Sequence, residues 1–574
     1  MKRITAILVL LTLVFVMMPA GVVAADLVYT DVPDGYWAQS FIEETTSLGI
    51  MQGVGDNRFG LGRNIKRGEF AAMLCRLFKW QKVTPEVPAF TDNSDRAKWY
   101  YSDIETVLEN GAIVRGDGYF RPEDDITRGE MAVMLVRALG YDTLAGDVED
   151  YGIPFTDVTE DRGYITIASD FGIITGRTPT LFDPKGFAKR EEAATMMMRL
   201  YARHTSDTSW SNAFYAISSY AQRDLIPSFD SVAFGWSRME YDAASGVTLN
   251  TTQSNGNEFR IPDGFETPVG IAEGSGVATS LNVYMSAQTP VTMPDGMKSN
   301  PCSEILLNAE RRKQAQSLIV SELTHVFPET GGSIYDGVTI DFEGMKGDEL
   351  KNAFSLFLQE LRPQLLSCGK TLTVTVPPRI KSGGGASYDA YDYRAIGDLA
   401  DRVILMAHDY AANTMPADLM SAGFTATPVT PFPEVYYALK TATDPVSGIR
   451  DKSKLALALS IDSAGWSIQN DVVVNQNAMH PTPDDICKRL SDPATAMNYS
   501  DRYRNPYITY YDDGDDTQNT VWYEDSRSIS DKISLARMFG VGSISVWRLG
   551  LIPDYDNPDG GRDLHYDVLD DILK

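Results

Sequence analysis

One segment recurs three times near the front of the chain, and it constrains the fold more than anything else there. It reads "RGEFAAMLCRLF" from Arg67, "RGEMAVMLVRAL" from Arg128 and "REEAATMMMRLY" from Arg190, at spacings of 61 and then 62 residues. Upstream of each copy stands "YTDV" (Tyr29), "FTDN" (Phe90) or "FTDV" (Phe155), and a glycine-bearing stretch such as "LGIMQGVGDNRF" lies between. The apolar residues of the recurring segment repeat at helical spacing, which marks a core-facing stripe. Glu69, Glu130 and Glu192 fall in its first turn, where negative charge suits the helix dipole. Each unit is thus a helix, a turn and a second helix, too small to bury its own apolar face. Three such units are expected to pack on one another.

These units resemble surface-layer homology (SLH) repeats, whose pattern ends in Thr-Arg-Ala-Glu. Here that element stands as "KRGE" (Lys66–Glu69), "TRGE" (Thr127–Glu130) and "KREE" (Lys189–Glu192). The resemblance covers residues 26–204, as three repeats at about 28–85, 88–145 and 153–204. It implies an α-helical repeat trimer that binds a secondary cell-wall polysaccharide. By the same resemblance the polymer-binding residues are Arg67, Arg128, Arg190, Trp37 and Trp99, with Tyr164 in the third aromatic position. A planar guanidinium suits an acidic ketal because it can hold a carboxylate with two parallel bonds. The competing reading of any one arginine is a cap or ion pair within its own repeat.

The polar run "HTSDTSWSN" (204–212) marks a boundary. Beyond it, short apolar strands alternate with helical stretches. Eight strand candidates stand at 213–220, 231–239, 280–286, 335–343, 371–377, 402–409, 454–461 and 542–549. Alternation of this kind implies parallel strands, and eight of them point to a (β/α)8 barrel, though an open doubly wound sheet reads alike. In "YDGVTIDFEG" (335–344) the period of two puts Thr339, Asp341 and Glu343 on one face and Val338, Ile340 and Phe342 on the other. Two neighbouring acids in an apolar strand are costly unless they do something. Close acids push their proton affinities apart, so one can stay protonated near neutral pH, as a general acid must. The alternative is a pair that caps a loop or holds an ion.

The same stretch resembles the Asp-x-x-Asp-x-Asp-x-Glu signature of glycoside hydrolase family 18, standing here as Asp336, Thr339, Asp341 and Glu343. "LMAHDY" (405–410) is similar to the family's Met-x-Tyr-Asp, and "SVWRLG" (545–550) to its eighth-strand tryptophan. With "YYDDG…VWYEDSRS", the branch most resembled is that of spore germination and cortex-lytic enzymes, over residues 210–574. The resemblance implies a substrate-assisted retaining mechanism on bonds beside N-acetylglucosamine, an exception to the two-carboxylate scheme. Glu343, Asp341 and Asp409 would be catalytic. Asp336, Thr339, His408, Tyr410 and Trp547 would bind substrate. Thr339 departs from the motif's aspartate and His408 from its tyrosine. Thr339 is still expected to hydrogen-bond Asp341.

The chain opens with Met-Lys-Arg, an apolar run and "GVVAA", which reads as a secretory signal over residues 1–25. A retained membrane anchor is the competing reading. The expected location is therefore the cell wall or surface. A formal net charge of −27 argues against nucleic acid as a partner. Cys75, Cys302, Cys368 and Cys487 have no metal spacing and are too few for a disulfide framework, and no cofactor or metal is expected. Peptidoglycan is the favoured substrate. The alternatives are chitin or another surface glycan, or a non-catalytic glycan-binding protein.

Overall fold

The structure is a computed structural model that describes residues 29–381, 388–411, 413–555 and 561–573. The expected signal segment, residues 1–25, lies outside them. No helix among the described residues is long and apolar enough to cross a membrane. The chain divides into a front unit ending at Ala202 and a second unit from Arg203 that also takes in Gly146–Val148.

The front unit is helical, as its repeats require. Each repeat pairs a nine-residue helix (Gln39–Ser47, Tyr101–Glu109, Arg162–Asp170) with a longer one (Arg67–Leu77, Arg128–Ala138, Arg190–His204). The glutamates of the recurring motif close the start of the longer helices. Glu69, Glu130 and Glu192 accept from the backbone N–H of Lys66, Thr127 and Lys189 at 2.9, 2.8 and 3.0 Å. The expected dipole role is thus accompanied by capping, worth about 1 kcal/mol each.

The three repeats close on themselves. Ile65 N–H donates to Ala188, Ala188 N–H to Ile126 and Ile126 N–H to Ile65, at 3.0, 3.2 and 3.0 Å. All three side chains are fully buried. Around this triangle each motif arginine reaches into the next repeat. Arg67 Nε donates to the Phe120 carbonyl, Arg128 to that of Phe182, and Arg190 to that of Phe59, at 2.8, 3.0 and 3.0 Å. Each guanidinium also lies over the ring of the same phenylalanine, 4.8–5.1 Å from its centroid. The aspartates of the "TD" motif hold the receiving loops. Asp31 accepts the amides of Phe59, Gly60 and Leu61, Asp92 those of Phe120 and Arg121, and Asp157 those of Phe182 and Asp183. Neighbouring backbones come close enough that a Cβ on Gly129 would stand 3.0 Å from the Pro184 carbonyl.

The second unit is a closed barrel of eight parallel strands: β1 (Trp210–Tyr215), β2 (Ser231–Asp242), β3 (Ala278–Ser286), β4 (Gly337–Glu343), β5 (Thr371–Val376), β6 (Arg402–Leu405), β7 (Leu455–Ser460) and β8 (Ser543–Trp547). β1 pairs with both β2 and β8, which closes the ring and excludes the open sheet. Outward residues of β4 pack under the helix Asp348–Ser367, with Phe342 5.8 and 5.4 Å from the rings of Phe354 and Phe357. Truncating such a ring to alanine costs about 3–5 kcal/mol. Inward residues of β1, β2, β6 and β7 form an apolar plug of Phe214, Ala233, Ile404, Ala456 and Ala458.

β1 begins three residues before the expected strand and stops at Tyr215, where the chain turns into a 3-10 helix (Ile217–Ser228). One feature was not expected at all. Between β7 and β8 lies a five-stranded antiparallel sheet, in the order 472–473, 464–469, 517–522, 505–512, 496–500. It has its own apolar cluster around Ile486, Leu490, Ile508, Val521 and Tyr523. A buried ion pair ties it to the helix Ser526–Phe539: Lys532 Nζ stands 2.6 Å from Glu524, which also accepts from Asn505 at 2.7 Å. The four cysteines are free thiols.

Candidate active site

Glu343 ends β4 at the C-terminal mouth of the barrel, half-buried, and Asp341 lies one inward position deeper, 4 % exposed. Asp341 is gripped from both neighbouring strands. Thr375 of β5 donates to its Oδ1 at 2.7 Å and Asn282 of β3 to its Oδ2 at 3.1 Å. Burial raises the Asp341 carboxyl, against these two hydrogen bonds and the nearby His408. Glu343 has no such donors among the described residues. Burial first, then the negative charge of Asp341 and of Asp409, pushes it up to about 8. The two acids that share a face thus differ in kind: one is pinned below, the other is held protonated at the rim.

Thr339 does not reach Asp341. Its hydroxyl lies 2.6 Å from that of Ser280, one layer further down. Two residues further down the strand, the Thr339 hydroxyl is instead taken up by Ser280 of β3. Asp336 is at the far end of the strand. It accepts from the Thr279 amide at 2.9 Å and fastens the bottom of β3 to β4. It lies seven residues before Glu343 along the strand, about 23 Å, so it is a strand clamp and not a part of the mouth.

β6 ends at Leu405, and the next residues leave extended form to line the mouth. Asp409 takes a left-handed backbone, φ +55°, and accepts from or shares a proton with His408 Nδ1 at 2.8 Å. Burial pushes the Asp409 carboxyl up, but the His408 ring and the Ser460 hydroxyl outweigh it, and the acid stays below its ordinary range. The Tyr410 hydroxyl is buried without a partner among the described residues, and burial first, then the charge of Glu434, pushes it up. Trp547 closes β8, half-buried, its ring 5.3 Å from that of Phe214. The structure therefore gathers Asp341, Glu343, His408, Asp409 and Trp547 and leaves out Asp336 and Tyr410. Thr375, Asn282 and Ser460 went unnoticed in the sequence. The alternation of "TLTVTVP" and "SLNVYMS" carried the signal, since their polar positions share the inward period.

In the front unit the arginines expected to bind polymer are turned inward. Arg128 and Arg190 are 6 % and 4 % exposed. Arg67 pairs with Glu130, and Arg190 with Glu69 at 2.8 Å. Their Nε donors serve the neighbouring repeat and not their own. Trp37 and Trp99 do stand free, 56 % and 57 % exposed, two residues before their helices. The equivalent third position is Glu160, because all three short helices start ten residues before a glycine (Gly49, Gly111, Gly172). Tyr164 lies inside its helix, bonded to Arg137 and Asp142, and does not replace the tryptophan.

Comparison with known proteins agrees with both units. Residues 297–551 match the family model described as glycosyl hydrolases family 18, and residues 28–71, 89–132 and 154–194 match the S-layer homology domain. The chain is 33 % identical over 192 residues to Exoglucanase XynX of Acetivibrio thermocellus, covering 32 % of this chain and 17 % of that one. It is 26 % identical over 295 residues to the putative sporulation-specific glycosylase YdhD of Bacillus subtilis (strain 168), covering 49 % and 64 %. It is 27 % identical over 221 residues to the cortical fragment-lytic enzyme of Bacillus anthracis, covering 37 % and 46 %. The chain spans less than two thirds of each of these relatives.

Proposed function

We propose that this chain, which joins three S-layer homology repeats to a family 18 glycosyl hydrolase domain, is a glycosidase held at the cell surface that cuts peptidoglycan beside N-acetylglucosamine. The observation that carries the reading is Glu343, raised to about 8 at the barrel mouth directly above a fastened Asp341. A carboxyl still protonated at neutral pH can deliver its proton to a glycosidic oxygen, a contribution of roughly 10²–10⁴ in rate.

Asp341 is poorly suited to attack the sugar itself. Both its oxygens are held from the sides, and it lies below the rim. This supports a substrate-assisted path. The 2-acetamido oxygen attacks the anomeric carbon as Glu343 protonates the leaving oxygen, and Asp341 stabilises the positive ring that forms. Glu343 then takes a proton from water, which opens that ring. His408 and Asp409 orient the acetamide, and Trp547 offers an apolar face to the sugar. The relatives named for cortical and sporulation glycosylases favour peptidoglycan over chitin. The repeats would hold the barrel in the wall, with Trp37 and Trp99 as the exposed groups for a polymer.

The second reading is a non-catalytic glycan binder. It draws on Thr339, which leaves Asp341 without an acidic neighbour beneath it. The test is product analysis with purified peptidoglycan and with chitin oligosaccharides, using the protein and its Glu343→Gln variant. New reduced N-acetylglucosamine ends from peptidoglycan, absent with the variant, support the glycosidase. Wall binding with no product from either substrate supports the binder.

A further inference from the structure

If Asp341, His408, Asp409 and Trp547 hold the sugar whose bond breaks, its leaving partner extends to the other side of Glu343. The loops there follow β3, β4 and β5, and they meet. Gly344, at φ +73°, turns the chain sharply off β4, and a Cβ on it would stand 3.3 Å from the Gln288 side chain. Gln288 Nε2 donates to the Tyr388 hydroxyl at 2.8 Å. Lys346 Nζ stands over the Tyr388 ring, 5.3 Å from its centroid. So an amide, an aromatic ring and an ammonium group from three separate loops meet beside Gly344, the residue after the acid.

Lys346 is exposed and makes no ion pair among the described residues. Asp389 feels its charge but accepts from the Gly347 amide, at 2.8 Å. Elsewhere the mouth carries the carboxylate of Asp409 beside the buried Asp341, with Glu343 protonated. An uncharged glycan needs no cation there. A glycan with a carboxylate on its leaving sugar would be repelled without one.

We propose that Gln288, Lys346 and Tyr388 form the leaving-sugar subsite, and that Lys346 selects a sugar carrying a carboxylate on its C3 substituent. This rests on the glycosidase reading and narrows it to muramyl over plain N-acetylglucosaminyl aglycones. The carboxylate has two sources: the lactyl group of a peptide-free strand, or the acids of a stem peptide.

Binding to the Glu343→Gln protein isolates this step from turnover. Calorimetry compares N-acetylglucosaminyl-N-acetylmuramic acid, the same disaccharide bearing a stem peptide, and chitobiose. Lys346→Gln should weaken the muramyl ligands roughly three- to fivefold, an exposed-charge effect, and leave chitobiose unchanged. Lys346→Arg should retain the preference, and raised salt should erase it. Tyr388→Ala should weaken all three ligands. A loss confined to the peptide-free disaccharide identifies the lactyl group, a loss confined to the stem-bearing ligand identifies the stem, and a loss with both shows that Lys346 takes either carboxylate. An equal change for chitobiose, or none for any ligand, overturns the proposal. Failure of wild-type turnover with the Lys346 preference intact would sink the glycosidase reading instead.

Discussion

The carboxyl of Glu343 makes a prediction about stability as well as catalysis. A glutamate in the unfolded chain ionises near 4.5, whereas the folded protein holds Glu343 to about 8. Below pH 4.5 both states carry the proton and folding costs nothing extra. As pH rises towards 8 the unfolded chain ionises first and gains free energy that the folded one does not. Native stability from this group is therefore present in acid and lost with rising pH, at roughly 1.4 kcal/mol per pH unit. That amounts to ~3 kcal/mol at pH 7 and levels off at ~4–5 kcal/mol above pH 8. Glu343→Gln removes the titration and keeps the shape. The variant should melt with the parent at pH 4.5, and above it by about 5 °C at pH 7, taking roughly 2 °C per kcal/mol for a large domain. Scanning calorimetry of the barrel transition from pH 4 to 8.5 measures the difference directly. Two curves that stay parallel across that range would refute the reasoning, because Glu343 would then titrate as an ordinary surface acid.

Other outcomes follow from the same geometry. The alkaline limb of kcat/KM should fall near pH 8, as Glu343 loses its proton; a limb near pH 5 in a pH–rate profile would contradict that. Asp341→Asn should lower kcat by 10²-fold or more while leaving glycan affinity within about threefold, read by steady-state kinetics and calorimetry. Arg190→Ala leaves Glu69 and two carbonyls without their donor, so it should destabilise the repeat unit by about 3–5 kcal/mol in urea unfolding. Arg121→Ala, whose arginine is exposed, should change it by less than about 0.5 kcal/mol. Lys532→Met should cost ~3–5 kcal/mol by stranding Glu524, and adding Glu524→Leu should restore most of it.

Much of this was legible in the sequence, and the reasons differ by region. The β4 alternation placed Asp341 and Glu343 correctly because a strand's period of two admits no drift. The barrel followed from the count and order of strands. The antiparallel sheet between β7 and β8 was not read: its strands are short, and its apolar residues are split between its own cluster and the barrel side. Asp336 was carried in by its motif although it lies seven residues before the rim, at the far end of the strand. The cross-repeat partners of the arginines went unread for a different cause. Their sequence neighbours show helix and cap, while their partners lie 53, 54 and 131 residues away. No local pattern reveals a contact of that kind. Tyr164 was misplaced because an aromatic was sought where the helix register puts Glu160.

The triangle of Ile65, Ile126 and Ala188 bears on how the front unit carries load. Each strand of chain in it both gives and receives a bond, so it acts as the keystone of an arch with three equal stones. A pull on the end of the Arg190–His204 helix is shared at once with the first repeat through Arg190 and with the second through the triangle. The three repeats should therefore give way together, in a single step, when the unit is pulled apart.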